Sequence, residues 1–85
     1  MSTFSFATFM RKIEGWNGDA RLYHLSRELE GNRYVIVSAV ATPTETYIFP
    51  ATKEGNAKVM LELPGSFKGE MNHKKALLNA GYVIR

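Results

Sequence analysis

Apolar residues recur along this chain at two different spacings, and the spacing divides it into elements. Phe6, Phe9, Met10 and Ile13 fall at i, i+3, i+4 and i+7, the stripe of an amphipathic helix over Ser5 to Glu14. Thr3 or Ser5 would cap that helix and Gly15 would stop it. The segment from Asp19 to Gly31 fits two patterns. As a helix it has Asp19 as N-cap and Leu22, Leu25 and Leu29 as its buried stripe. As a strand it turns Tyr23, Leu25 and Leu29 inward, interrupted by Arg27, and Glu30-Gly31-Asn32 becomes a hairpin turn. The strand is favoured, because the segment after it needs an antiparallel neighbour.

That next segment, Tyr34 to Val40, alternates β-branched residues on both faces and reads as a central strand covered by helix on at least one side. Thr42-Pro43-Thr44 connects it to a strand over Thr46 to Phe49, which Pro50 ends by withholding a ladder donor. Lys53 to Ala57 is a polar, exposed turn. Val59 to Leu63 is either a short strand or an extended segment docking Met60 and Leu63 on the core. In Leu63-Pro64-Gly65-Ser66-Phe67, Pro64 pre-sets φ, Gly65 admits a positive φ, and Phe67 returns to the core. Asn72 caps a helix over His73 to Asn79 that packs Ala76, Leu77 and Ala80 inward and ends at Gly81. A short strand, Tyr82 to Ile84, closes the chain. The expected fold is a single α+β domain over residues 1–85: an antiparallel sheet of three to four strands with two helices packed on one face.

Composition narrows the function classes more than it names one. Eighty-five residues with 45% hydrophobic and 12% aromatic content support one packed domain. The absence of cysteine excludes disulfides and thiolate metal sites and is compatible with a reducing cytoplasm. No apolar run approaches the ~20 residues that span a bilayer. The N-terminus lacks the basic leader of a secretory signal, since Arg11 and Lys12 follow the apolar residues. A cytoplasmic protein without membrane partners is expected.

The net charge of +3 comes from eleven cations scattered among eight anions. Arg21, Arg27, Arg33 and Lys68 would have to be gathered by the fold to make a phosphate-binding patch; otherwise they are solvated surface charge. The two histidines, His24 and His73, belong to no metal-ligand spacing. The carboxylates are isolated, and no nucleotide loop or nucleophile elbow is present, so no cofactor, metal or catalytic residue is assigned. Tyr34, Tyr47, Phe49 and Tyr82 could form a stacking platform for bases, but a Phe49 in the core with tyrosines at its rim is the simpler reading. Trp16, in a turn between Gly15 and Asn17-Gly18, either closes the core edge or stands out as a binding anchor.

Glu45-Thr46-Tyr47-Ile48-Phe49-Pro50-Ala51, Glu62-Leu63-Pro64-Gly65-Ser66-Phe67 and His73-x-x-Ala76-Leu77-x-x-Ala80-Gly81-Tyr82, with Gly18 to Tyr23 and Val37-Ser38-Ala39, resemble small uncharacterised proteins of actinobacteria and their bacteriophages. The resemblance runs from Gly18 onward. It implies an intracellular accessory protein, phage-encoded in some members, and carries no catalytic or binding residue with it.

The function expected from these observations is that of a small non-enzymatic binding or accessory protein that occupies a host macromolecule, with Trp16, Arg21, Arg27 and Arg33 as candidate contacts. A basic nucleic-acid-binding protein using the same arginines is the alternative, and a small enzyme around His24 or His73 is a second. The partner is expected to be a protein, with nucleic acid as the other class, and an uncovered sheet edge would leave a homodimer open.

Overall fold

A computed structural model describes residues 5–16 and 18–85. Four long strands, β1 (Ser5–Ile13), β2 (Asp19–Leu29), β3 (Asn32–Ala41) and β4 (Thr44–Ala51), follow one another as an antiparallel meander. A two-residue strand β5 (Phe67–Lys68) then lies on the outer edge of β4. The helix α1 (His73–Asn79) leads across the sheet to β6 (Tyr82–Ile84), which runs parallel to β1. The sheet has six strands in the order β5-β4-β3-β2-β1-β6 and curls into a half-barrel. The fold is therefore mostly sheet. It is not the α+β arrangement of two helices on a three- or four-stranded sheet: the described residues hold one short helix, and the expected first helix is a strand.

The reason lies in a β-bulge. β1 pairs with β2 in register from Ala7↔Leu25 to Phe9↔Tyr23, then resumes at Arg11↔Leu22 with Met10 inserted. An inserted residue shifts the inside–outside alternation by one position. Before the bulge Ala7 faces the core; after it Ile13 does, on the opposite face of the sheet. Phe6, Phe9, Met10 and Ile13 thus imitate a helical stripe without sharing a face. Ser5 is the first residue of β1 rather than a cap, and Thr3, the other cap considered, lies outside the described residues, as does Asn17.

The β2–β3 hairpin follows the strand reading of Asp19 to Gly31. Its two-residue turn places Glu30 at φ 52° and Gly31 at φ 81°. Two consecutive positive φ values match the right-handed twist of the flanking strands, and glycine holds the second without a Cβ penalty. Asn32 secures the turn by donating from Nδ2 to the carbonyls of Leu29 (3.1 Å) and Glu30 (3.0 Å).

Alternation along β2, β3 and β4 then builds two cores. Tyr23, Leu25, Val35, Val37 and Ile48 meet Leu63, Ala76, Leu77 and Tyr82 under the helix. Ala20, Leu22, Ile36 and Ala51 meet Ile13 on the other face, with Trp16 and Tyr34 packed against them. Pro50 stays inside β4, opposite Val35, instead of ending it. Its carbonyl accepts from the Lys58 N–H on the outer side, so the missing proline donor also points away from β3.

The helix matches its expected bounds. Asn72 caps it through a side chain that accepts from the Lys75 N–H, and Gly81 follows its end. The buried Thr46 hydroxyl fixes the approach, donating to the Glu70 carbonyl at 2.7 Å and accepting from the Asn72 N–H at 2.9 Å. Tyr82 is fully buried, not at the rim, and its hydroxyl donates to the Arg27 carbonyl at 2.7 Å. The segment over Val59 to Leu63 is irregular and docks through Leu63 alone, leaving Met60 68% exposed. Phe67 is partly buried against the helix-side core.

Gly65, in the turn before β5, is wedged between helix and sheet. It has φ 108°, and a Cβ there would lie 2.6 Å from the Ala76 carbonyl oxygen and 2.8 Å from the Ile48 Cδ1. Gly65→Ala is expected to lower the unfolding free energy by more than about 2 kcal/mol, through strain at a positive φ and collision with helix backbone. Urea denaturation measures this; a loss within about 0.5 kcal/mol, the range of an ordinary surface change, would show that the contact yields freely.

Candidate functional site

The face of the sheet opposite the helix carries an open groove of about 650 Å³. Its floor is the alternate residues of three strands: Ile13 from β1, Ser38 and Val40 from β3, and Tyr47 and Phe49 from β4. Trp16, in the β1–β2 turn, walls one side with its ring 5.6 Å from that of Phe49, and Tyr47 lies 5.8 Å from Phe49 on the floor. The other lip is the chain leaving β4, with Gly55, Asn56, Ala57 and Met60.

That lip is held across the sheet at several points. Arg11 on β1 donates from its guanidinium to the Glu54 carbonyl, and buried Gly55 lies beneath Arg11 and Ile13. Thr52 and Asn56 close the turn between them, and Lys58 reaches the Asn32 side chain at 3.1 Å. The stretch read as an exposed polar turn is thus half wall. Beyond it Val59, Met60 and Leu61 are all exposed, a continuous apolar run beside an aromatic groove. Such a surface suits contact with another apolar surface.

The helix side holds a polar cluster instead. Arg21 donates to Asp19 Oδ2 at 2.8 Å, and buried His73 places Nε2 2.8 Å from the Asp19 carbonyl oxygen and 4.0 Å from Oδ2. A carbonyl only accepts, so Nε2 carries the proton and His73 clamps the start of α1 to the start of β2. Burial depresses the His73 pKa below its ordinary value, against the raising effect of that hydrogen bond. For Asp19 burial acts upward, but the Arg21 hydrogen bond and charge, with His73 and Lys12, bring the carboxyl below its usual range. Burial raises the Tyr23 phenol, with the Arg21 guanidinium opposing.

No protein-family model matches this chain, and no curated protein or solved structure matches it either. The site therefore rests on its own geometry. Of its two expected positions Trp16 takes the core edge, half-buried on Phe49 against the core of that face, and from there it walls the groove. The three arginines are not beside it. Arg21 faces the helix side with Val37 and is tied to Asp19. Arg27, six residues further along β2 and so on the order of 20 Å away, lies over the Tyr82 ring at 5.9 Å. Arg33 is exposed at the start of β3.

His24 packs edge-on against Tyr34 at 5.2 Å, away from His73. Among the described residues no group of three or more His, Cys, Asp or Glu could hold a metal ion, and no helix is long and apolar enough to cross a membrane. Tyr47, Met60 and the Gly55 turn went unrecognised as groove residues. Only the return of the loop across the sheet assembles them.

The His73 clamp has a pH signature. The unfolded histidine takes up its proton near 6.5, before the buried one does, so stability present at neutral pH is lost as pH falls through 6.5 toward the folded value. The Asp19 contribution, from a depressed carboxyl, persists through that window and is lost only below about 3.8. Between pH 7.5 and 5.5 the urea midpoint of the native chain should therefore fall more than that of His73→Gln, which keeps a donor toward Asp19 but cannot titrate. Equal slopes for the two proteins would remove His73 as the source.

Proposed function

We propose that this chain is a small non-enzymatic binding protein whose groove receives an apolar side chain of a protein partner. The observation that supports this reading is the pairing of an aromatic floor and wall, Tyr47, Phe49 and Trp16, with an exposed Val59-Met60-Leu61 lip. Aromatic and methionine side chains provide large contact area at low ordering cost and adapt to an incoming group, which is why they concentrate in binding hot spots. The mode of action suggested by the resemblance to phage and actinobacterial proteins, occupation of a host macromolecule, fits a surface of this kind. The reading needs no chemistry beyond burial.

Trp16 is the single tryptophan of the chain, so its fluorescence reports the groove directly. A protein captured from lysate at physiological salt should shift that emission on binding, and Trp16→Ala should weaken binding by about 2 kcal/mol or more, as for a buried aromatic anchor. Met60→Asp, at an exposed position, should weaken binding while leaving stability within about 0.5 kcal/mol of the parent. A partner whose affinity and tryptophan signal ignore both substitutions would place the binding surface elsewhere and overturn the assignment to the groove.

A further inference from the structure

The two edges of the sheet are finished differently. On the outer side of β4, β5 pairs with Glu45 and Thr46. Further along, the Ile48 N–H donates to Ser66 Oγ, the Ile48 carbonyl accepts from Leu63, and the Pro50 carbonyl accepts from Lys58. Pro50 has no donor to leave open. That edge is closed along its length.

The outer side of β1 is closed only at its start. β6 pairs with Ser5, Phe6 and Ala7, and the Arg85 N–H adds a bond to the Ala7 carbonyl. From Thr8 to Ile13 no described residue pairs with it on that side. The Ala7 carbonyl faces outward, so by strand alternation the N–H and C=O of Phe9 do too. The open stretch is about six residues, or roughly 20 Å, long. The bulge at Met10 divides it, shifting the alternation so that Lys12, opposite Arg21, follows Phe9 as the next outward residue.

Its side chains are not those of a protected edge alone. Phe9 is 49% exposed and Met10 42% exposed. Cations stand at both ends: exposed Lys12 on β1, beside Arg11 whose guanidinium is held by the Glu54 carbonyl, and Arg85 beyond β6, with its guanidinium 4.5 Å from the Phe6 ring centroid. β1 itself carries no carboxylate.

We infer that the open edge of β1 accepts an extended segment of a partner protein as an additional strand, apolar in its middle and acidic toward its ends. Main-chain hydrogen bonds would supply affinity and the flanking charges specificity. Charge favours this occupant over a second copy of the chain, because within Thr8 to Ile13 a copy would bring the same Arg11 and Lys12 to a stretch whose first carboxylate, Glu14, lies past its end. The inference stands on the strand edge and not on the aromatic groove, which lies on a face of the sheet.

The probe is a blocked eight-residue peptide alternating valine and threonine, with glutamate at each end, titrated into the full chain labelled for backbone amide NMR. Shifts and slowed exchange are expected at Phe9 and Lys12. Phe9→Pro, which removes the outward donor, should weaken binding about tenfold, roughly the worth of one backbone hydrogen bond. Phe9→Ala keeps that donor and should retain more of the affinity. Should Phe9→Pro fail to fold, Lys12→Glu carries the test, since it should reduce binding of this peptide and favour the version with lysine ends.

Trp16→Ala should leave edge binding unchanged, which separates this site from the groove. Three results would each overturn the proposal: no amide response at millimolar peptide, equal binding of glutamate- and lysine-ended peptides, or a peptide-free dimer in ultracentrifugation that Phe9→Pro abolishes. The last would give the edge to a second copy.

Discussion

Strand β3 buries side chains on both faces at once, and the rest of the molecule is arranged around that requirement. Val35 and Val37 need cover on one side, Ile36 and Ser38 on the other, and all four are buried. A strand in this position must be central, because edge strands cannot be shielded on both faces and along their length. β2 and β4 therefore flank it by the shortest route, through turns that leave no slack. The helix covers one face with Ala76 and Leu77, while the β1–β2 turn and the chain leaving β4 cover the other with Trp16 and the Gly55 loop. Covering is complete on the helix side and partial on the other, where the groove opens.

That asymmetry has a simple cause. A helix presents a continuous stripe and fills the space beneath it, whereas a single crossing loop touches the sheet only where it is tied. Here the ties are the Arg11–Glu54 hydrogen bond, buried Gly55 and the reach of Lys58 to Asn32. Between those ties and the Trp16 turn the floor stays accessible at half-buried Tyr47, while Phe49 is buried beneath Trp16. The helix side carries the opposite kind of surface. Its polar cluster of Asp19, Arg21 and His73 is spent on joining α1 to β2, so chemistry that looks reactive in composition serves as a clamp.

Much of the fold was legible because short-range physics decided it. The Glu30-Gly31 turn, the double-sided pattern of Tyr34 to Val40, the Asn72 cap and the glycine after the last helix each follow from local steric or hydrogen-bonding rules. The first element was misread because its register shift is not local. Nothing in Phe6, Phe9, Met10 and Ile13 announces a bulge, and only pairing with β2 converts a helical spacing into two half-strands facing opposite ways. Of the candidate contacts, Trp16 was recognisable as a large aromatic held in a turn. Whether Arg21, Arg27 and Arg33 gather was left open by the sequence: the fold sets Arg21 and Arg27 six residues apart on β2, ties Arg21 to Asp19, and puts Arg33 on β3 past the hairpin turn.

What the amino-acid sequence determined by itself is the central strand over Tyr34 to Val40, its strand partner toward the C-terminus, the capped helix and the exclusion of cysteine chemistry; for Asp19 to Gly31 it favoured a strand without deciding against a helix. These rest on interactions between residues a few positions apart, or on composition alone. Tertiary structure decided the strand identity of Ser5 to Ile13, the six-stranded order and the parallel return of β6. It also brought Trp16, Tyr47 and Met60 into one groove. Each of these joins residues distant along the chain. Burial and edge pairing select among arrangements that local preference leaves open.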